Sequence, residues 1–575
     1  MTATVSTAPP DAAPTTAPAR RRRLPRRPRN LGFALVFVVV AVIVLLPLYR
    51  LQSLALENDG EGYRTAFSRD DVGTLILNTV LLGLGSLVIA LICGTALAWA
   101  STRLSPRMRL LRTLPLIPIV VPPVAAVIGW VFLLSPGPGY LNVLMRRLPW
   151  WNHLEEGPVD IYSRPWIIII TGFMLTSFVY MFVSSGFRNV SRDMQEAART
   201  SGSSGAGVLF RVTLPLLRPV LVYGGAVALL IGLGQFTAPL LLGRNLGIDV
   251  VTTQMYFFVA ESPVDYAASA AFGSPLLVFG ILVVIAQKVL IGDQNRFVTH
   301  GGKGFVADPR PSKLAPVIIS VYGFVAVVLP VAALAVLSLS PFWSASIGDG
   351  GFSLDNFRVV LDNPKTIAGI TNSLVLSLGA AVIALPLGYV VATILVRTGP
   401  RFRLARQAID FMVAMPLGVP GVVYGLGFLL AYGLSPFYLY ATKSIIVIAY
   451  VTLMLPFATR MLLSGMVSIG KTYQEASRTS GAGVIRTNAN ILLPLLRPTF
   501  LGAFILIFIM LTHEFSASLF VRAASTNVMG TLLYDMYGLG SYPLVAAVAL
   551  IMTVITAIGV ALAFLVGGSD ALDKM

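Results

Sequence analysis

Soft metal ligands are almost missing from this chain: its 575 residues contain one cysteine, Cys93, and three histidines, His153, His300 and His513. A single cysteine within an apolar stretch excludes a disulfide framework and a thiolate metal site, and reads as a small packing residue. The histidines fall in separate regions with no H-E-x-x-H or H-x-x-E-H spacing, so no metal site is expected. A nucleophile elbow is lacking too, and no residue is singled out as catalytic. Charge is equally scarce. Charged residues make up 12% of the chain and hydrophobic ones 56%, where soluble domains carry about 25% and roughly 45–50%.

What is abundant is long apolar runs. They recur along the whole sequence at lengths that cross a bilayer, and the expected spans lie near 31–49, 73–99, 113–134, 165–185, 219–242, 269–291, 314–340, 367–396, 409–433, 444–464, 499–522 and 543–567. The expected fold class is therefore an all-α integral membrane protein with about twelve transmembrane helices. The first run has a long apolar core and no A-x-A cleavage site after it, so it reads as a retained helix rather than a signal peptide. A net charge of +17 (42 basic minus 25 acidic residues) raises the question of nucleic acid. The basic residues are instead spread over short loops and an arginine-rich N-terminal tail, which fits membrane topology and no nucleic-acid partner.

Lysine and arginine placement sets the orientation. Arg103, Arg107, Arg109 and Arg112 fall in one loop, Arg188, Arg192, Arg199, Arg211 and Arg218 in another, and Arg397, Arg401, Arg403 and Arg406 in a third. The opposite loops are poorer, since residues 243–266 hold only Arg244 and 523–541 hold none. Arg146, Arg147 and Arg164 run against the trend without reversing it. Both termini are thus expected on the cytoplasmic face of a multi-pass cell-membrane protein.

The chain also repeats itself. DMQEAARTSGSSGAGVLFRVTLPLLRP from Asp193 is echoed by TYQEASRTSGAGVIRTNANILLPLLRP from Thr472, with Glu196 and Glu475, Gly202 and Gly481, and Pro215 and Pro494 each 279 positions apart. NTVLLGLGSLVIALICG from Asn78 matches NSLVLSLGAAVIALPLG from Asn372 at an offset of 294, and IPIVVPP from Ile117 matches MPLGVPG from Met415 at 298. The first half therefore carries an insertion, in the outward loop 135–164 that holds Trp150 and Trp151, with Trp166 just beyond. These tryptophans read as an interfacial belt. Both halves share one topology, so a pseudo-twofold axis should run along the membrane normal with a path between them.

Local chemistry explains the repeated loop. Asp193 and Thr472 stand at capping-box spacing before Glu196 and Glu475, and Gly202 and Gly481 suit the left-handed end of a two-turn helix. A second short helix and Leu-Pro should follow. The pattern E-A-[AS]-x3-G-x9-[IV]-x-L-P closely resembles the EAA motif of membrane subunits of ABC importers. The resemblance implies two fused permease halves, residues 31–291 and 314–567, with loops 187–218 and 466–497. Residues 1–30, 292–313 and 568–575 would then be cytoplasmic tail, linker and tail. It also implies that Glu196, Ala197 and Gly202, with Glu475, Ala476 and Gly481, form coupling helices that dock into a separate cytoplasmic ABC ATPase, a dimer. An extracytoplasmic substrate-binding protein would be the other partner, and the chain itself would need no cofactor.

A literal Walker A pattern, GMVSIGKT from Gly465 to Thr472, has a membrane span where a strand is required. Lys471 is therefore not expected to bind nucleotide. For the translocation path, His513 and Glu514 lie about 24 Å along an expected helix from Pro498, and Gln235 is the repeat mate of Glu514. Ionisable groups at such depth are costly and by default functional. Helix–helix hydrogen bonding is the competing role. The Gly421 and Gly425 pair, at small-xxx-small spacing, reads as packing rather than a hinge.

HEFSASLF, GIDVVTTQMY and NVMGTLLYDMY look like the subgroup of fused permeases that includes ferric-iron, thiamine and aminoethylphosphonate importers. Ferric iron is the expected substrate, with thiamine, phosphonate or polyamine as alternatives. A secondary transporter would place ionisable coupling groups at mid-membrane and would leave the duplicated loops without a role.

Overall fold

The computed structural model describes residues 28–190, 192–291, 311–397, 402–470 and 472–567. Lys471, His300, the arginine-rich stretch 1–27, most of the 292–313 linker and the 568–575 tail lie outside them. Among the described residues, nine helices are long and apolar enough to cross a membrane, and twelve spans result when each of three bent helix pairs counts as one. We number these in chain order. Spans 1 and 2 are Gly32–Phe67 and Val72–Ser101; span 3 is Pro106–Ile119 with Pro123–Leu134, bent by 94°. Span 4 is Arg164–Phe187, span 5 is Gly205–Leu216 with Arg218–Leu233, bent by 70°, and span 6 is Tyr266–Gln287. Spans 7 and 8 are Leu314–Leu339 and Pro364–Arg397; span 9 is Arg403–Gly418 with Gly421–Gly433, bent by 108°. Spans 10, 11 and 12 are Lys443–Ile469, Val484–Thr512 and Tyr542–Leu562.

The sharp bends in spans 3 and 9 follow from proline. Pro122 and Pro420 sit at φ −57° and −56° with extended ψ, and each opens the helix that follows.

The first span of each half packs against both halves. Gly129 of span 3 packs so closely on span 7 that an added Cβ would lie 2.5 Å from the Pro330 carbonyl oxygen; in the repeat mate, a Cβ on Gly427 of span 9 would lie 2.9 Å from the Pro47 carbonyl oxygen of span 1. Pro47 has no N–H to give the Ile43 carbonyl one turn back. That carbonyl instead accepts a bond from Thr452 Oγ1 of span 10 at 3.3 Å, and Tyr432 Oη donates to the Val42 carbonyl at 2.9 Å. The carbonyl that Pro47 leaves free is thus one of the backbone groups that tie the halves together.

Spans 5 and 11 depart from expectation. Their helices stop at Leu233 and Thr512 rather than running on to 242 and 522. Beyond each stop the chain folds back as a hairpin ending in a further helix, Val251–Ala260 in the first half and Met529–Gly538 in the second. Matched bonds fix both hairpins to the second span of their own half. Asn78 Nδ2 donates to the Asp249 carbonyl at 3.0 Å and Thr79 Oγ1 accepts from Val251 N at 3.0 Å. Asn372 Nδ2 donates to the Asn527 carbonyl at 2.9 Å and Ser373 Oγ accepts from Met529 N at 2.8 Å. An ion pair braces each hairpin, Arg244 with Glu261 and Arg522 with Asp535. Asp249 is half-buried at the first hairpin, and desolvation pushes its carboxyl above the usual carboxylate range.

The 135–164 insertion is ordered by one buried residue. Asn142 donates to the carbonyls of Leu134, Ser135 and Val159 and accepts from Val159 N. Of the expected tryptophan belt, Trp150 is 70% exposed. Trp166 instead turns inward, with its ring 5.8 Å from that of Trp130.

Candidate coupling loops and translocation path

The duplicated loops fold alike. Helix Arg192–Thr200 carries Glu196 and Ala197, helix Thr472–Thr479 carries Glu475 and Ala476, and all four residues are exposed. Both helices end in the same double bond pattern. Gly202 N donates to the Arg199 carbonyl at 3.0 Å and Ser203 N to the Ala198 carbonyl at 3.0 Å; Gly481 N and Ala482 N do the same to Arg478 and Ser477 at 3.0 and 3.0 Å. This closure needs a left-handed residue, and Gly202 and Gly481 sit at φ +85° and +82°. Asp193 and Thr472 lie inside the first turn of the described helices, as their second and first residues, rather than ahead of them as the capping-box reading has it. Asp193 there still favours the helix dipole.

Apolar side chains crown these loops: Met194 is 44% exposed, Tyr473 56% and Ile485 86%. After the glycine the two copies diverge. In the first, Ser204 Oγ caps the next short helix by accepting from Gly207 N at 3.1 Å, and span 5 bends at Leu217. In the second, the short helix runs on into span 11 through a π-helical turn, Asn488–Leu492, without a break. The Walker-like stretch is helix up to Ile469 and is closed by Gly470 at φ +71°. A Cβ on Gly465 would lie 2.8 Å from Thr499 Oγ1, so that glycine serves helix packing.

Gln235, His513 and Glu514 all lie just past the helix stops at Leu233 and Thr512. They mark broken helices, the arrangement in which transporters expose polar groups at the midplane. The Gln235 carbonyl accepts from Thr252 Oγ1 at 2.5 Å, and its Oε1 accepts from Thr171 Oγ1 at 2.9 Å. Its Nε2 and the Nδ1 of His513 are buried without a partner among the described residues. Glu514 behaves differently. Its carboxylate caps the helix Ser518–Val521, accepting from Ala517 N at 2.7 Å, Ser518 N at 2.9 Å and the Ser518 hydroxyl. Tyr450, the repeat mate of Thr171, shares a 2.9 Å bond with that hydroxyl.

Beside these polar groups lies an aromatic cluster that sequence reasoning missed. Phe236 and Phe515 stack with centroids 5.6 Å apart, Tyr256 stands 5.9 Å from Phe236, and Tyr534 stands 5.8 Å from Phe515. Tyr256 and Tyr534 meet edge to face at 6.2 Å. The available signal was that Phe236 and Phe515 are repeat mates. Gly425 packs under this region, where an added Cβ would lie 2.9 Å from Ala517 Cα, as expected of a packing glycine. Among the described residues no three His, Cys, Asp or Glu side chains converge on a metal position. Arg460 and Asp410 form a 2.8 Å ion pair between spans 10 and 9 that the sequence reading did not single out.

A family model for the binding-protein-dependent transport system inner membrane component matches twice, over residues 86–293 and 384–568. The chain belongs to this family. It is an ABC importer permease of the binding-protein-dependent class, with two permease halves fused in one multi-pass membrane chain. It is 27% identical over 534 residues to the ferric transport system permease protein FbpB of Actinobacillus pleuropneumoniae, covering 91% of this chain and 74% of that one. A putative ferric transport system permease, FbpB 1 of Haemophilus influenzae, is 28% identical over 77% of this chain and 69% of its own. The sulfate transport system permease CysT of Escherichia coli is 27% identical across 95% of its length but only 48% of this permease. A half-length relative is what a fused pair of halves should match.

Proposed function

We propose that this permease imports ferric iron delivered by an extracytoplasmic binding protein, and couples to a separate ATPase dimer through helices 192–200 and 472–479. The observation carrying the coupling role is that two exposed helices, 279 positions apart in sequence, are closed by the same left-handed glycine and crowned by apolar side chains. Such a surface suits a docking cleft. Both termini are cytoplasmic in this reading, which follows from the arginine-rich loops. The names of the two ferric permease relatives support the substrate.

The path runs between the halves, past Gln235, His513 and Glu514, and the Phe236–Phe515 stack with its two tyrosines closes it. Gln235 Nε2 and His513 Nδ1 supply polar atoms with no competing partner among the described residues. Glu514 adds a carboxylate at the break in span 11. Few contacts of this kind are needed, since the binding protein carries the selectivity.

The test is transport into vesicles holding the permease and its ATPase, with binding protein loaded with ferric iron, thiamine or aminoethylphosphonate. Iron uptake dependent on ATP and on the loaded binding protein is expected. Uptake of one of the other cargoes, with iron left outside, overturns the substrate but not the coupling.

A further inference from the structure

An open apolar crevice of about 1130 Å³ lies between spans 2, 5 and 6 of the first half. Leu91, Thr95 and Trp99 line it from span 2, Gly225 from span 5 and Leu282 from span 6, and Arg218 stands at its end beside Leu214 and Pro215 of the duplicated loop. Arg103 lies at the same end, with its guanidinium 4.4 Å from the Trp99 ring.

The second half closes the corresponding groove with its own side chains. Where the first half has Leu221, Gly225 and Leu229, the second has Phe500, Phe504 and Phe508, and Tyr389 stands at the place of Thr95. The Phe500 ring lies 5.6 Å from that of Tyr389, and Phe504 and Phe508 stack at 6.0 Å. A Cβ on Gly559 of span 12 would touch Phe508 at 3.4 Å, so these rings reach from span 8 to span 12. The duplicated unit therefore exists in a filled and an open form. Nothing blocks filling in the first half, since a Cβ on Gly225 would meet Leu91 at an ordinary 3.5 Å.

A dry apolar cleft bounded by lipid is closed by hydrocarbon, because a void forfeits dispersion contacts along its whole lining. The guest must be long and apolar, with a polar end next to an exposed arginine. A phosphodiester matches that end, since guanidinium pairs well with phosphate and basic pockets between spans hold anionic headgroups. We propose that the crevice is a resident phospholipid site selective for an anionic headgroup, with the acyl chains between spans 2 and 6 and the phosphate on Arg218. The bound lipid touches Leu214 and Pro215, so its occupancy bears on the link between the first docking helix and span 5. The assignment does not depend on which substrate the permease carries.

Native mass spectrometry of the full chain in detergent, with equal phosphatidylglycerol and phosphatidylcholine supplied, tests this. One phosphatidylglycerol adduct should dominate. Arg218→Gln should lower the ratio of phosphatidylglycerol to phosphatidylcholine adducts about fivefold, while Arg497→Gln, at the filled sister groove, leaves it unchanged. Gly225→Phe and Thr95→Tyr, which import the second half's side chains, should each remove most of the adduct. Thr95→Tyr decides the matter if Gly225→Phe fails to accumulate. Retention of the adduct by folded Thr95→Tyr protein with an unchanged melting temperature overturns the site, and an unchanged ratio in Arg218→Gln overturns its headgroup selectivity.

Discussion

Phe236 and Phe515 are 279 positions apart in sequence and stack ring on ring, with centroids 5.6 Å apart and planes 27° from parallel. Equivalent residues of a duplicated unit can touch only where the symmetry axis passes between them. The stack thus locates the centre of the molecule, and Tyr256 and Tyr534 flank it from their own hairpins.

A plug at that position should leak when shortened. Phe236→Ala with Phe515→Ala is expected to raise passive ion flux through permease-only vesicles, while the double leucine variant stays tight. Leucine keeps the apolar bulk and gives up only the stacking preference, worth about 0.5–1.5 kcal/mol. Flux in the alanine variant equal to wild type would remove the plug from the proposed path.

At the duplicated loops, side-chain space is not the constraint, because nothing lies within 4 Å of a Cβ built on Gly202 or Gly481. Backbone conformation is. Gly481→Val should reduce co-purification of the ATPase strongly, with a left-handed penalty of order 1–3 kcal/mol, whereas Gly481→Asn should retain most of it. Equal recovery with valine and glycine would refute the docking role.

The crossed first spans predict a stability effect far from either site. Gly129→Leu must push against the Pro330 backbone, for which even a Cβ comes within 2.5 Å. A loss of about 1–3 kcal/mol is expected, read as a lower melting temperature of the purified permease. Gly379, with nothing within 4 Å of its Cβ, should tolerate alanine without change.

Polar residues at the helix breaks separate by chemistry. Gln235→Leu should cut uptake and leave ATPase docking intact, since it removes a donor with no partner among the described residues together with the acceptor that Thr171 uses. Glu514→Gln offers one acceptor oxygen to two backbone donors, so a cap loss of about 1 kcal/mol should accompany any fall in transport. Uptake at the wild-type level in both variants would take these residues off the path.

The repeat, the twelve spans and the glycine-closed loops were legible because they rest on local pattern: apolar length, identical spacing and one conformational requirement. The ends of spans 5 and 11 were not. Gln235 and Glu514 sit in apolar runs that read as continuous helix, and only the bonds from Asn78, Thr79, Asn372 and Ser373 to distant backbone reveal the hairpins. The capping role of Glu514 was hidden for the same reason, since its helix begins within an expected span. Likewise, Pro47 signals a kink in sequence but cannot say that span 10 will use the carbonyl it frees.

The first spans, each wedged between the two halves, also bear on how the halves could evolve. Part of the packing of each first span is supplied by the other half, so covalent linkage, which keeps that partner at high effective concentration at synthesis, favours assembly. Fusion fixes the pairing as first half with second half. A change that suits only one side is then never forced onto both, as it would be in a dimer of identical chains. Phe504 stacked on Phe508 and Gly225 leaving open space are two answers to one inherited position, kept apart by a single peptide chain.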